Sequence, residues 1–137
     1  MISFFAEDVI FELPDESARS AWIDLVINKE GFHTGEINYI FCSDEYLWKI
    51  NMDYLNHDTY TDIITFDQSE TQNEITGDIY ISIERARDNA LAMQLPFVDE
   101  LDRLLIHGVL HLCGYSDHNE EEKRLMRKKE DACLSLR

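Results

Sequence analysis

The sequence predicts an α+β fold in which a mixed four-stranded sheet is packed with helices. Three observations predict it. Segments rich in β-branched and aromatic residues alternate with segments whose apolar residues recur at helical spacing, in the order β-α-β-α-β-β-α-α-α. The third and fourth strand segments are separated by about ten residues, which makes them expected neighbours. A long apolar helical segment near the C-terminal end carries two histidines four residues apart.

Each element has its own signal. Residues 2–12 (ISFFAEDVIFE) read as a first strand. Residues 15–29 read as a helix, with Ala18, Ala21, Trp22, Leu25 and Val26 at helical spacing and Gly31 as its stop. Residues 36–42 alternate Ile37, Tyr39 and Phe41 with Asn38 and Ile40, a strand with one buried and one partly buried face. Ser43 is the expected N-cap of a helix running to about Leu55, with Asp44 and Glu45 favouring the positive end of its dipole. Residues 61–66 (TDIITF) and 77–83 (GDIYISI) are short strands. Ser82 caps a helix over 83–94 that ends at Leu95-Pro96. Asp99 opens a helix to Cys113, ended by Gly114, and Asn119 caps a last helix to about Ser135.

The 137 residues suit one domain, expected to span the whole of 1–137. A chain of this length can bury roughly two-thirds of its unfolded surface and needs no disulfides. Cys42, Cys113 and Cys133 are odd in number and far apart, which fits a reducing cytoplasm. The first residues lack the basic start of a signal peptide, and no apolar run is long enough to span a membrane. Twelve Lys and Arg against 28 Asp and Glu give a net charge of −16. Such a surface repels phosphate backbones and anionic membranes, so a nucleic-acid role requires a local basic face or a metal. The densest basic stretch is Lys123-Arg124 with Arg127-Lys128-Lys129. Its neighbours Glu120, Glu121, Glu122 and Glu130 favour a solvated helix face.

The chemistry concentrates in LDRLLIHGVLHLCGYSDH, residues 101–118. His107 and His111 fall on one helix face, with Cβ atoms about 5–6 Å apart. Leu104, Leu105, Ile106, Val109, Leu110 and Leu112 surround them, so the helix is expected to be buried. Two imidazoles without partners would be costly there, and a shared metal satisfies both. The histidine pair alone is as readily core packing. The Gly114 turn and a third donor at Asp117 or His118 make a metal site the better reading. Three protein ligands leave a fourth position for water, the catalytic arrangement. Peptidases of the H-E-x-x-H type place their general base after the first histidine, where this chain has Gly108. That glycine is expected to leave open space beside His107. Cys113 is expected to be a small buried hydrophobe.

These residues resemble the YbeY family of bacterial rRNA maturation factors, proposed single-strand-specific, metal-dependent endoribonucleases. The family signature H-G-x-L-H-L-x-G-Y-D-H is similar to His107-Gly108-Val109-Leu110-His111-Leu112-Cys113-Gly114-Tyr115-Ser116-Asp117-His118. Upstream, Ile50-Asn51, then residues 61–66 and 77–82, resemble the family's asparagine helix and its T-D-V-L-S-F and G-D-I-x-I-S strands. There are two departures. Six residues separate the last two histidines here where the family has five, with Ser116 as the apparent extra residue. Spacing therefore favours Asp117 as third ligand, with His118 as its partner or substitute. The family's arginine after the asparagine falls on Leu55, and His57 is the nearest polar candidate for contacting substrate.

The resemblance implies a zincin-like metal helix and one Zn2+ per chain held by His107, His111 and Asp117 or His118, with the histidines serving catalysis. It implies cleavage of single-stranded RNA in 16S rRNA 3′ maturation and ribosome quality control in the cytoplasm. Ribosomal RNA and small-subunit proteins would be the partners, with no membrane and no nucleotide cofactor. Two alternatives stand beside it: a ribosome-assembly factor with a structural metal, and a metal hydrolase of another class such as a peptidase.

Overall fold

A computed structural model of the chain describes residues 1–57 and 59–137. Its elements are β1 (Ile2–Ala6), α1 (Glu16–Lys29), β2 (His33–Cys42), α2 (Asp44–Leu55), β3 (Ile63–Asp67), β4 (Glu74–Ser82), α3 (Ile83–Met93), α4 (Phe97–Leu112) and α5 (Glu120–Leu134). The order is the one the sequence predicts. The sheet runs β1-β2-β4-β3. β1 and β4 both lie parallel to β2, while β3 pairs antiparallel with β4, so the sheet is mixed.

The period-two pattern sorts the two faces. Ile37, Tyr39 and Phe41 of β2 and Ile75, Ile79 and Ile81 of β4 point into the main core. There they meet Trp22, Ile23, Val26 and Ile27 of α1 and a run of α4 residues from Leu101 to Leu112. The opposite face buries Cys42 and Ile64 under Leu47 of α2. α4 is apolar on nearly every side because the sheet, α3 and α5 all pack against it.

The expected caps are present. The side chains of Ser43, Ser82 and Asn119 accept from the backbone N–H groups of Tyr46, Arg85 and Glu122. The boundaries differ at several elements. β1 stops at Ala6 instead of continuing to residue 12. The Asp8 carboxylate accepts from both the N–H and the hydroxyl of Ser43, which draws the chain off the ladder. Phe11 then caps the sheet end by an edge contact to Phe41 at 5.0 Å. β2 and β4 begin about three residues earlier than their apolar patterns, because the pairing of His33 with Glu74 and Thr34 with Ile75 is a backbone matter. α4 begins at Phe97, and the Pro96 carbonyl accepts from the Asp99 N–H at 3.1 Å.

Gly108 overturns the expectation of open space beside His107. A Cβ built there would lie 2.8 Å from both Cδ1 and Cγ2 of Ile79. The glycine lets α4 approach β4 closely, and the sheet fills the space. Gly108→Ala should therefore cost about 1–3 kcal/mol in overpacking against about 1 kcal/mol gained in helix propensity, a net destabilisation of up to about 2 kcal/mol despite adding only a methyl group. Thermal unfolding checks this, and Ile79→Val in the same chain should recover part of the loss.

Candidate metal centre

α4 carries the two histidines outward from the core on the edge that faces α5. His107 Nε2 and His111 Nε2 lie 3.0 Å apart. Asp117 Oδ2 stands 3.4 Å from the first and 3.5 Å from the second. Among the described residues these three are the one group of His, Cys, Asp and Glu side chains whose donor atoms converge closely enough for a metal ion.

The back of each ring fixes which nitrogen faces the group. His107 Nδ1 is 2.6 Å from Glu130 Oε2, and His111 Nδ1 is 3.0 Å from the carbonyl oxygen of Tyr115. A carbonyl and a carboxylate accept hydrogen bonds, so both Nδ1 atoms carry the proton. In the neutral rings, both Nε2 atoms then present lone pairs to the same point, which repel unless a cation lies between them. A tetrahedral zinc with bonds near 2.0–2.1 Å sets its nitrogen ligands roughly 3.3 Å apart. The donor triangle is close to that size. The residues fit a metal ion by geometry, tautomer and charge.

Burial acts against protonation of both rings, with different results. In His107 it is outweighed by the bond and charge of Glu130, with Asp117 and Asp62 adding to them, and the ring is held above its ordinary pKa. In His111 burial prevails, reinforced by the nearby His107, and the pKa falls.

The turn after α4 brings Asp117 back. Gly114 takes φ +105, a conformation that side-chain-bearing residues avoid. The Tyr115 hydroxyl donates to Glu30 Oε2 at 2.9 Å, and Lys129 reaches Glu30 Oε1 at 2.6 Å, which ties the turn to α1 and α5. The extra residue, Ser116, donates to Glu122 Oε2 at 2.6 Å, and the His118 N–H donates to Glu122 Oε1 at 2.9 Å. The same clamp turns the His118 ring outward. It is 86% exposed, with Nδ1 4.0 Å from Glu122, and stands outside the donor group. Cys113 is half-buried and also outside it, and burial pushes its thiol up to about 12.

The group sits between two cavities of about 470 Å³ each, and His107, Asp117, Asp62 and Ile63 line both. One lobe is walled by Asn51, His57, Thr59 and Thr65. His57 is exposed there beside Leu55. Asn51 is buried and donates to the carbonyl of Thr59 at 2.9 Å, shaping the loop that forms this wall. The other lobe holds Asn89, Glu100, Arg103, Lys123 and Arg127. Burial raises the pKa of Glu100, and among the described residues its Oε1 has no hydrogen-bond partner.

Glu130 is the site residue that sequence reading missed. It is 5% exposed, and its second oxygen accepts from Arg103 Nη1 at 2.8 Å. The signal was its spacing. Met126, Glu130 and Cys133 form the buried stripe of α5, and a carboxylate in an apolar stripe needs a partner.

A family model described as Endoribonuclease YbeY matches residues 7–136. A protein of Cytophaga hutchinsonii named Endoribonuclease YbeY is 52% identical over 136 residues, covering 99% of this chain and 95% of its own length. Its namesake in Flavobacterium psychrophilum is 54% identical over 136 residues, covering 99% and 96%. The solution structure of a Thermotoga maritima protein superposes with a TM-score of 0.69 over 99% of this chain and 88% of that one. At 24% identity it shows the fold alone.

Glu130→Gln keeps the size of the side chain and removes its charge from behind His107. It should weaken zinc binding by about 10–100-fold. Asp117→Ala should weaken it further, and His118→Ala should leave it unchanged. Competition against a chelating dye measures all three.

Proposed function

The chain belongs to the YbeY family, and on that premise we propose that it is a zinc-dependent endoribonuclease that cuts single-stranded RNA during 16S rRNA 3′ maturation and ribosome quality control. The observation that carries this reading is a three-donor group in a cleft open on both sides. The names of the relatives supply the substrate class. Among the described residues no fourth His, Cys, Asp or Glu joins the group, as a catalytic site requires and a closed structural site does not.

His107, His111 and Asp117 would hold the metal. When bound, zinc polarises a phosphoryl oxygen and lowers the pKa of its water to about 7. The chain's own residues do the rest. Glu130 and the Tyr115 carbonyl keep both imidazoles turned toward the cleft. Asp62, shared by both lobes, is held by Asn89 Nδ2 at 3.1 Å, within reach of a strand lying along the cleft. His57, Thr59 and Thr61 offer hydrogen-bonding groups to phosphate and ribose on one side. His57 is proposed to contact substrate in place of the family's arginine.

A peptidase reading is disfavoured by the packing at Gly108. That position faces Ile79 in the core, so the base of the H-E-x-x-H enzymes has no counterpart there. Ribosomal RNA and small-subunit proteins in the cytoplasm are the proposed partners.

Zinc-loaded protein should cut single-stranded RNA and leave a duplex and a peptide intact. A chelator should abolish cleavage and zinc should restore it. His111→Ala, purified identically, should be inactive, which separates the activity from contaminating nucleases. Intact RNA with the zinc-loaded protein would refute the reading. If His111→Ala then still failed in rRNA processing, the assembly-factor alternative would stand.

A further inference from the structure

α5 carries both signs of charge at close spacing, and along the sequence they cancel. The fold separates them. Glu130 turns inward to His107 and Arg103, and Asp131 also pairs with Arg103, at 2.6 Å. Glu122 is taken by Ser116 and the His118 N–H. Glu120 reaches Lys123 at 3.7 Å. Arg124, Arg127 and Lys128 are exposed, and among the described residues none of them has a carboxylate at ion-pair distance. Most other cations are engaged: Arg19, Arg85, Arg103, Lys129 and Arg137 in ion pairs, and Arg87 over the Phe97 ring.

The three free cations are spaced i, i+3, i+4 and so share one helix face. With Lys123 they line a groove of about 420 Å³, whose two carboxylates, Glu120 and Asp131, are paired with Lys123 and Arg103. Lys123 and Arg127 also line the lobe that contains His107 and Asp117. The cationic face is therefore continuous with the cleft. On a chain of net charge −16, such a face is where a polyanion can approach.

We propose that single-stranded RNA leaves the cleft across α5, its phosphates held by Arg124, Arg127 and Lys128. This rests on the endoribonuclease reading and assigns that site its substrate track. The two guanidinium groups can grip phosphate oxygens in pairs, and the lysine adds a point charge. The cost of bringing RNA to an acidic protein is offset where Glu122, Glu130 and Asp131 of the same helix are held by Ser116, His107 and Arg103.

The test is a salt titration of binding to a labelled, non-cleavable single-stranded oligodeoxynucleotide, with wild type and R124Q/R127Q/K128Q. Each phosphate contact to a single strand contributes about 0.7 to the slope of log affinity against log salt, so the variant's slope should be shallower by about two. Over a fourfold rise in salt, wild type should then lose about 20-fold more affinity than the variant. On RNA, the variant should show a raised KM with wild-type kcat. R124K/R127K/K128R should restore the slope, and K29Q/K49Q, which removes cations elsewhere, should leave it unchanged. Because the altered side chains are exposed, the melting temperature should hold, and R124Q alone should lower the slope by about 0.7. An unchanged slope in the triple variant would overturn the track and point to an acidic protein as the ligand of α5. A wild type that binds with the expected slope but never cuts RNA would uphold the track and refute the endoribonuclease reading. A wild type that cuts RNA but binds with no salt-dependent slope would overturn the track and leave the endoribonuclease reading standing.

Discussion

Two imidazole lone pairs aimed at one point are a demand that the polypeptide cannot meet by itself. The demand arises from the hydrogen bonds behind the rings. Glu130 and the Tyr115 carbonyl take the Nδ1 protons, and so force both Nε2 atoms to face each other at 3.0 Å. Everything around the site serves this arrangement. Gly108 seats α4 against the sheet, the Gly114 turn returns Asp117 to the pair, and Arg103 holds Glu130 in place. With both rings neutral the two nitrogens oppose each other lone pair to lone pair, and a shared cation would relieve this, with the three donors spaced close to a tetrahedral site.

The order of the elements was legible because each carried a local signal: a period of two or of 3.6, a Ser or Asn cap, a Gly or Pro stop. The boundaries that escaped depend on partners far along the chain. Residues 7–12 have strand composition, yet Asp8 is diverted by Ser43, 35 residues away in sequence. The first pairs of β2 and β4, His33 with Glu74 and Thr34 with Ile75, have no alternating apolar pattern on β2 to announce them. At the site, the two histidines could be read because helical spacing fixes their relation. Spacing also favoured Asp117 over His118, but the cause lay outside the motif: a clamp by Glu122 on Ser116 and on the His118 N–H turns the His118 ring outward. Glu130 lay in a run of charges that looked solvated, and the apolar rhythm of Met126 and Cys133 was the missed clue.

Gly108 and Glu130 show opposite errors from one cause. A residue was assigned a role from its neighbours in sequence, while its neighbours in space had the deciding say. Gly108 suggested room for a ligand, and the room belongs to Ile79. Glu130 suggested a charge that neutralises nearby lysines, and that charge is spent on His107 and Arg103. The net charge of a helix is thus a poor guide to the field it presents, because an acid already paired with a cation of another element, as Glu130 and Asp131 are with Arg103, does not cancel the bases beside it.

The docking of α5 has a further consequence. The buried Trp22 indole on α1 donates to the Cys133 carbonyl near the end of α5, at 2.9 Å. Glu130 sits one turn earlier on the same helix, attached to His107. One end of α5 therefore touches a fluorophore while its middle touches the donor group. Trp48, the second tryptophan, lies elsewhere, stacked on Tyr60 at 6.1 Å. The emission of Trp22 is thus a built-in optical gauge of how firmly this helix is seated, readable without a label on the chain.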